Sequence, residues 1–202
     1  MFLHIRILWS LRNAKEVPGN PPEELLAMFA SRFSTEQEVL DARNGNALVG
    51  PSLVQVGTSI PLNDKSRSAK QIRQVEEHIL EYLQGCIAKF GLVRWAPDLR
   101  QSAYSLYNSA CRIIALDTFK QAIISHAYDF LRPNPVYLRD MDLLMKVYDH
   151  IVHFYLLVRY TRECMAPGTV RAKDDANPTY RNRQRVRDKL YLSRILHEYQ
   201  LL

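Results

Sequence analysis

Three observations predict an all-α fold. Seven glycines in 202 residues are about half the ordinary usage of roughly 7%, too few for a chain built of hairpin turns or phosphate-cradling loops. Apolar residues recur at helical spacing through most of the chain from Ser68 onward. Between Asn46 and Arg67, where helical periodicity is missing, the only regular pattern is the Val54/Val56 alternation. The expected architecture is an irregular helical bundle with an N-terminal helical hairpin and a basic C-terminal helix. A hydrophobic share of 47% and a charged share of 24% supply a core and exclude wholesale disorder.

The first element is Met1 to Lys15, which carries Arg6, Arg12 and Lys15 and no acid. Two readings suit it, an organelle-targeting helix and an ordinary amphipathic first helix. Few serines, Arg6 inside the apolar run and the lack of a small-residue cleavage site favour the second. Asn20-Pro21-Pro22-Glu23-Glu24 then marks a helix start, with Asn20 as cap and Leu25, Met28, Phe29 and Phe33 on one face. Ser34 and Gln37 stand at capping-box spacing and begin a second helix that ends near Asn44-Gly45. From Asn46 to Arg67 helical periodicity disappears; a stretch of this length is functional, disordered or packed in extended form.

The body begins near Ser68 with a stripe of Ile72, Val75, Ile79, Tyr82, Leu83, Cys86 and Ile87, and Gly91 is placed for a left-handed cap. Pro97-Asp98 opens the next helix, with Leu99, Ala103, Leu106, Tyr107, Ala110, Ile113 and Ile114 inward. Asp117 is the expected cap of a third, which buries Phe119, Ile123, Ala127, Phe130 and Leu131. Pro133-Asn134-Pro135 forces a corner. The last body helix starts between Val136 and Asp142 and reaches Glu163; Ile151 to Val158 is apolar nearly all round and is expected to be the central helix. Ala166-Pro167-Gly168 stops it. A polar linker, Thr169 to Asn177, leads to a tail helix with Leu192, Ile195, Leu196, Tyr199 and Leu202 on one stripe. The organisation is thus an N-terminal helical segment (1–45), a long loop (46–67), a helical core domain (68–165), and a linker with a basic amphipathic tail helix (166–202).

Cys86, Cys111 and Cys164 stand far apart within apolar helical patterns, so a disulfide framework or a cysteine-based zinc site is not expected. Tyr104, Tyr107, Tyr128, Tyr148, Tyr155 and Tyr160, with Phe119, Phe130 and Phe154, read as core with phenols at the rim. The alternative is the lining of a groove for a partner helix. No window is long and apolar enough for a membrane span.

The net charge is +6, and residues 166–202 carry +4 of it. Arg181, Arg183, Arg185, Arg187 and Lys189, followed by Arg194, form the sharpest charged feature. Guanidinium groups bind phosphate bidentately and stack on bases, and Tyr180 and Tyr191 flank the run, so a polyanion contact is the functional reading. On a helix the four arginines split into two stripes; only an extended segment presents them together. The alternative is a solvated helix whose arginines pair with acids elsewhere in the fold.

His150 and His153 share a helix side at i, i+3 and are weak candidates for a metal, with Asp140, Asp142 or Asp149 as carboxylate partners. No H-E-x-x-H, G-x-S-x-G, G-x-G-x-x-G or P-loop pattern is present. His153 reads more simply as a core histidine making one hydrogen bond. Ser105, Cys111 or Cys164 with His126 are a further catalytic temptation that nothing in the sequence brings together, and in Glu76-Glu77-His78 the glutamates lie on the outer face of an amphipathic helix, where such residues are ordinarily solvated.

The run FGLVRWAPDLRQSAYSLYNSACRIIALDTFKQAI (Phe90 to Ile123), with PPEELLAMFASRF (Pro21 to Phe33) and NPTYRNRQRVRDK (Asn177 to Lys189), resembles uncharacterised multicopy proteins encoded by mushroom-forming fungi. The resemblance spans about Val17 to Lys189 and carries no catalytic motif. It implies a soluble, all-helical member of an expanded or mobile-element-associated gene family, and it adds no site.

The function expected from these features is a non-enzymatic interaction module. It would dock a protein partner through apolar helix faces and contact nucleic acid or another polyanion weakly through Arg181, Arg183, Arg185, Arg187, Lys189 and Arg194. The alternative is a small metal-dependent enzyme using His150 and His153. No cofactor is called for. The expected compartment is intracellular, nuclear or cytoplasmic, or mitochondrial if Met1 to Lys15 is a targeting sequence.

Overall fold

The computed structural model describes residues 1–12, 16–57 and 67–175. It is all-helical, and its one β-bridge among the described residues joins Gln55 to Arg94. The chain forms two compact units, Met1–Thr161 and Arg162–Leu202.

The first unit is organised around α6 (Leu106–Ile124), the longest helix described, with ten of its nineteen residues buried. Around it pack α1 (Phe2–Leu8), α2 (Glu23–Arg32), α3 (Glu36–Asn44), α5 (Glu77–Lys89) and α7 (Met141–Asp149), while α4 (Arg67–Ile72) rests on α1. The core takes in Ile5, Ile7 and Leu8 from the first helix, Phe29 and Phe33 from the hairpin, and Val54 from the loop. Segments 1–45 and 46–67 therefore share one core with the body.

The apolar residues of Met1 to Leu11 are explained by burial. Of the seven residues in α1, Leu3, His4, Ile5, Ile7 and Leu8 are buried, and Arg6 reaches out to donate to Ser68 Oγ at 2.7 Å. A polar chain locks this helix in place. Thr118 Oγ1 donates to the Ile114 carbonyl (2.6 Å), so the same oxygen accepts from His4 Nε2 (2.9 Å). His4 Nδ1 is then the acceptor for the Tyr128 hydroxyl at 2.7 Å. His4 is completely buried, and burial pushes its pKa down to about 3. The ring is thus neutral in the folded state, with its proton on Nε2.

Several local readings are shifted or replaced. Helix α2 begins at Glu23, and Asn20 does not cap it. Pro21 and Pro22 have no N–H to offer a cap; the Asn20 amide instead accepts from Leu99 N (3.2 Å) and donates to Tyr160 Oη (3.0 Å). The capping box of α3 is Thr35 with Glu38, one residue beyond Ser34 and Gln37. The stripe from Ser68 is two helices, because the chain leaves the α region before Glu76, although no glycine or proline marks the break. Gly91 has the expected left-handed backbone, with φ of +68°.

Residues 97–105 are not helical. They form a turn built on the buried Asn108, whose Oδ1 accepts from Asp98 N (2.9 Å) and whose Nδ2 donates to Asp98 O (3.0 Å) and Ser102 O (2.8 Å). Ser105 caps α6 by accepting from Asn108 N. Asp117 caps nothing: no breaker interrupts Leu106 to Ile124, so it sits mid-helix and binds Arg43. The described part of the loop, Asn46 to Gly57, holds a 3-10 turn at Pro51–Leu53 and is tied to the body by Leu48 N on Ala88 O (2.9 Å) and Gln55 N on Val93 O (2.8 Å).

The expected central helix is a π-helical segment, His150–Leu156, between α7 and α8 (Leu157–Met165). Its wider turns carry Ile151, Val152 and Leu156 inward and leave Phe154 and Tyr155 exposed, so the central position falls to α6. Within the second unit, α8 ends at Met165 as Ala166-Pro167-Gly168 demands. The supposed linker starts as helix α9 (Thr169–Asp175), where the Glu163 carboxylate accepts from Gly168 N (2.7 Å) and Val170 N (3.3 Å). No described helix is long and apolar enough to cross a membrane.

Candidate functional site: a groove along α6

Helix α6 is apolar on more sides than its neighbours cover. One stripe, Leu106, Ser109, Ile113, Leu116, Asp117, Lys120 and Ile124, follows the helical period and faces two adjoining recesses. The first, of about 300 Å³, lies between α3, α6 and α7. Val39, Leu40, Leu106, Ile113, Met141 and Met145 make it apolar, and Glu36 and Arg112 stand at its rim. The second, of about 340 Å³, lies between α5 and α6 and is lined by Tyr82, Cys86, Lys89, Lys120, Gln121 and Ile124. Leu40 and Ile124 are well exposed in spite of their chemistry.

Arg43 and Asp117 belong to both recesses and divide them. The guanidinium grips the carboxylate with both arms, Nε to Oδ2 at 2.5 Å and Nη2 to Oδ1 at 2.7 Å. Both carboxylate oxygens are engaged, which leaves the positive charge of Lys89 and Lys120 unbalanced in the second recess.

At the α7 side, Arg112 is nearly buried, between the rings of Tyr104 (5.1 Å) and Tyr148 (5.8 Å). Its Nη2 donates to Ala103 O (2.9 Å) and lies 3.0 Å from Asp149 Oδ1, an ionic contact off the hydrogen-bond line. Arg112 Nε, Tyr148 Oη and His153 Nε2 are buried without a hydrogen-bond partner among the described residues. Burial, with the Cys111 thiol and Asp149 adding to it, holds the Tyr148 phenol far above its ordinary pKa, while Arg112 opposes the shift. Burial holds His153 below its usual value, and Asp149 partly offsets this.

The histidine pair does not converge. In a π-helix the natural neighbours are further apart in sequence than in an α-helix, and the rings go separate ways. His153 meets Tyr148 edge-on at 5.9 Å, and His150 stacks on Phe154 at 5.2 Å. No group of three or more metal-ligating side chains occurs among the described residues. Of the other catalytic combinations, Ser105 is held by its cap, Cys111 is buried and its thiol raised by desolvation, and His126 is exposed beside Asp129 at 3.0 Å, while Glu76 and His78 do meet, Oε2 to Nδ1 at 3.3 Å, with both side chains exposed. Cys86 is raised by desolvation as well, which keeps it protonated and unreactive. Arg181, Arg183, Arg185, Arg187, Lys189 and Arg194 lie outside the described residues.

The aromatic reading divides. Tyr107, Tyr128 and Tyr148 are core, whereas Tyr104 and Phe154 are largely exposed. His4, Asn108 and Arg112 carry the main buried polar contacts, and none stands out by sequence. A polar residue inside a continuous apolar helical run was the available signal. Comparison with protein-family models, curated proteins and solved structures finds no match, so the chain's own residues carry the functional reading.

Proposed function

We propose that the protein is a non-enzymatic interaction module that binds a protein partner in the groove along α6. The observation that supports this is the apolar recess between α3, α6 and α7, where Leu40 and Met141 remain exposed beside Ile113 and Met145. Open apolar surface of this kind on a water-exposed face favours association, and flexible methionines adapt to a partner. Desolvation raises the thiols of Cys86 and Cys111 and so argues against either as a nucleophile, which favours the groove as the functional feature.

A photo-crosslinking residue placed at Met141 of the full chain tests the reading in cells. A discrete protein adduct is expected from Met141 and not from the exposed Leu53, which lies outside the groove. Equal labelling from both positions would refute it.

A second contact, with nucleic acid or another polyanion, is proposed for Arg181, Arg183, Arg185, Arg187, Lys189 and Arg194 because two thirds of the net charge lies in residues 166–202. Weak, sequence-independent binding whose logarithm falls with log salt is expected, with a flatter slope after removal of residues 171–202. Binding that ignores salt would exclude this contact.

A further inference from the structure

We infer that the groove's partner is an acidic amphipathic helix, with apolar anchors followed two turns later by carboxylates. This rests on the groove being the interaction surface and adds the chemistry of its occupant. The two recesses lie along one helix and differ in character. The first is apolar, and its rim charges are of both signs, Glu36 and Arg112. The second carries Lys89 and Lys120. Its only acid is Asp117, and both oxygens of that carboxylate are held by Arg43.

The unbalanced charge is therefore positive at the second recess, whereas at the first Arg112 is paired with Asp149 and the charge that remains is Glu36. Among the described residues Lys89 Nζ makes one hydrogen bond, 3.3 Å to the Arg43 carbonyl, and no ion pair. Lys120 takes part in no ion pair among the described residues. Neither is fully solvated; both are half-buried beside Phe90, Ile114 and Ile124. A carboxylate arriving there gains more from each ammonium than it would on an open surface.

The spacing selects the form of the occupant. From Ile113, at the floor of the apolar recess, to Lys120 is seven residues of α6, or about 11 Å. A partner helix lying along α6 covers that distance in two turns. Anchors at i and i+4 would enter between Leu40, Met141 and Met145, and acids at about i+8 and i+11 would reach Lys89 and Lys120. The Arg43–Asp117 pair passes beneath the middle of such a helix, where small residues fit.

The test uses the full chain of 202 residues and fluorescein-labelled helical peptides on an alanine-rich background. One carries leucine at positions i and i+4 and glutamate at i+8 and i+11; a second replaces the glutamates with lysine. Fluorescence anisotropy is read at low and high salt. The acidic peptide is expected to bind about tenfold more tightly at low salt, and the preference should reverse in the double variant K89E/K120E. The exposed substitution Leu40→Lys should weaken both peptides.

An acidic preference that survives K89E/K120E would overturn the inference, since it would place the contact elsewhere, for example on Arg181 to Arg194. Equal binding of the two peptides, weakened by Leu40→Lys, would overturn the acidic partner while leaving the interaction groove in place. Binding of neither peptide overturns the inference. If a concentration-dependent dimer abolished by Leu40→Lys accompanies that failure, the occupant is a second copy of this chain. Circular dichroism of each variant guards against reading a folding defect as a binding defect.

Discussion

Acidification should unfold this protein through His4. The ring is fully buried, its Nε2–H donates to Thr118 Oγ1, and its Nδ1 accepts from Tyr128. Its folded pKa, about 3, lies below the roughly 6.5 of an exposed imidazole. Below pH 6.5 the unfolded chain takes up a proton that the folded one refuses. The contribution to stability is complete above that pH and is lost as pH falls toward 3, by about 1.4 kcal/mol per pH unit. From neutrality to about pH 4.5 the loss is on the order of 3 kcal/mol, a large share of the roughly 5–15 kcal/mol that holds a typical domain. Urea denaturation across this interval, run beside His4→Gln, measures it. The substitution should cost about 1–3 kcal/mol near neutrality and remove most of the excess pH dependence. His153, also held below its usual value by burial, adds a slope of the same sign to both proteins and cancels in the difference. If the two denaturation midpoints fall in parallel, the neutral, buried His4 is refuted.

Three further outcomes follow from the same packing. Tyr128→Phe removes the donor to His4 Nδ1 and should cost about 1–3 kcal/mol, whereas Tyr148→Phe deletes a buried hydroxyl with no partner and should be neutral or stabilising, within about 0.5 kcal/mol; chemical denaturation of the pair decides. Asn108→Leu breaks three hydrogen bonds at once, two of them buried, and should cost about 3 kcal/mol or more, with a melting temperature lowered well beyond that of the exposed Gln37→Leu. Gly91→Ala forces a side chain into a left-handed backbone and to within 2.1 Å of the Arg32 guanidinium, displacing the 2.7 Å bond from Arg32 to Gly91 O, and should cost about 1–3 kcal/mol. Gly85→Ala, in the body of α5 with open space at its Cβ, should instead stabilise by about 0.5–1 kcal/mol, and thermal melts that show the same sign for both glycines would contradict the placement.

The helical class and several stops were legible locally. Glycine scarcity, the stripe of Ile79, Leu83 and Ile87, the left-handed Gly91 and the Ala166-Pro167-Gly168 stop each depend on neighbours within one or two turns. Continuity of α6 was misread because Asp117 looks like a cap. A carboxylate in mid-helix needs only an outward direction and a counter-charge, and Arg43, distant in sequence, supplies it. Ile151 to Val158 looked central for the same reason: composition reports how apolar a helix is and leaves open which sides its neighbours cover.

The sequence by itself therefore determined that the chain is helical, where some of its stops fall and that its positive charge gathers toward one end. Tertiary structure decided that Met1 to Leu11 is core, that His150 and His153 part company on a π-helical segment, and that α6 keeps an open face between α3, α5 and α7. The physical reason is range. Propensity, capping and periodicity act within about one turn, whereas burial and charge pairing are set by elements that meet only after the chain has folded. A groove is defined by what its neighbours fail to cover, and no local pattern records that.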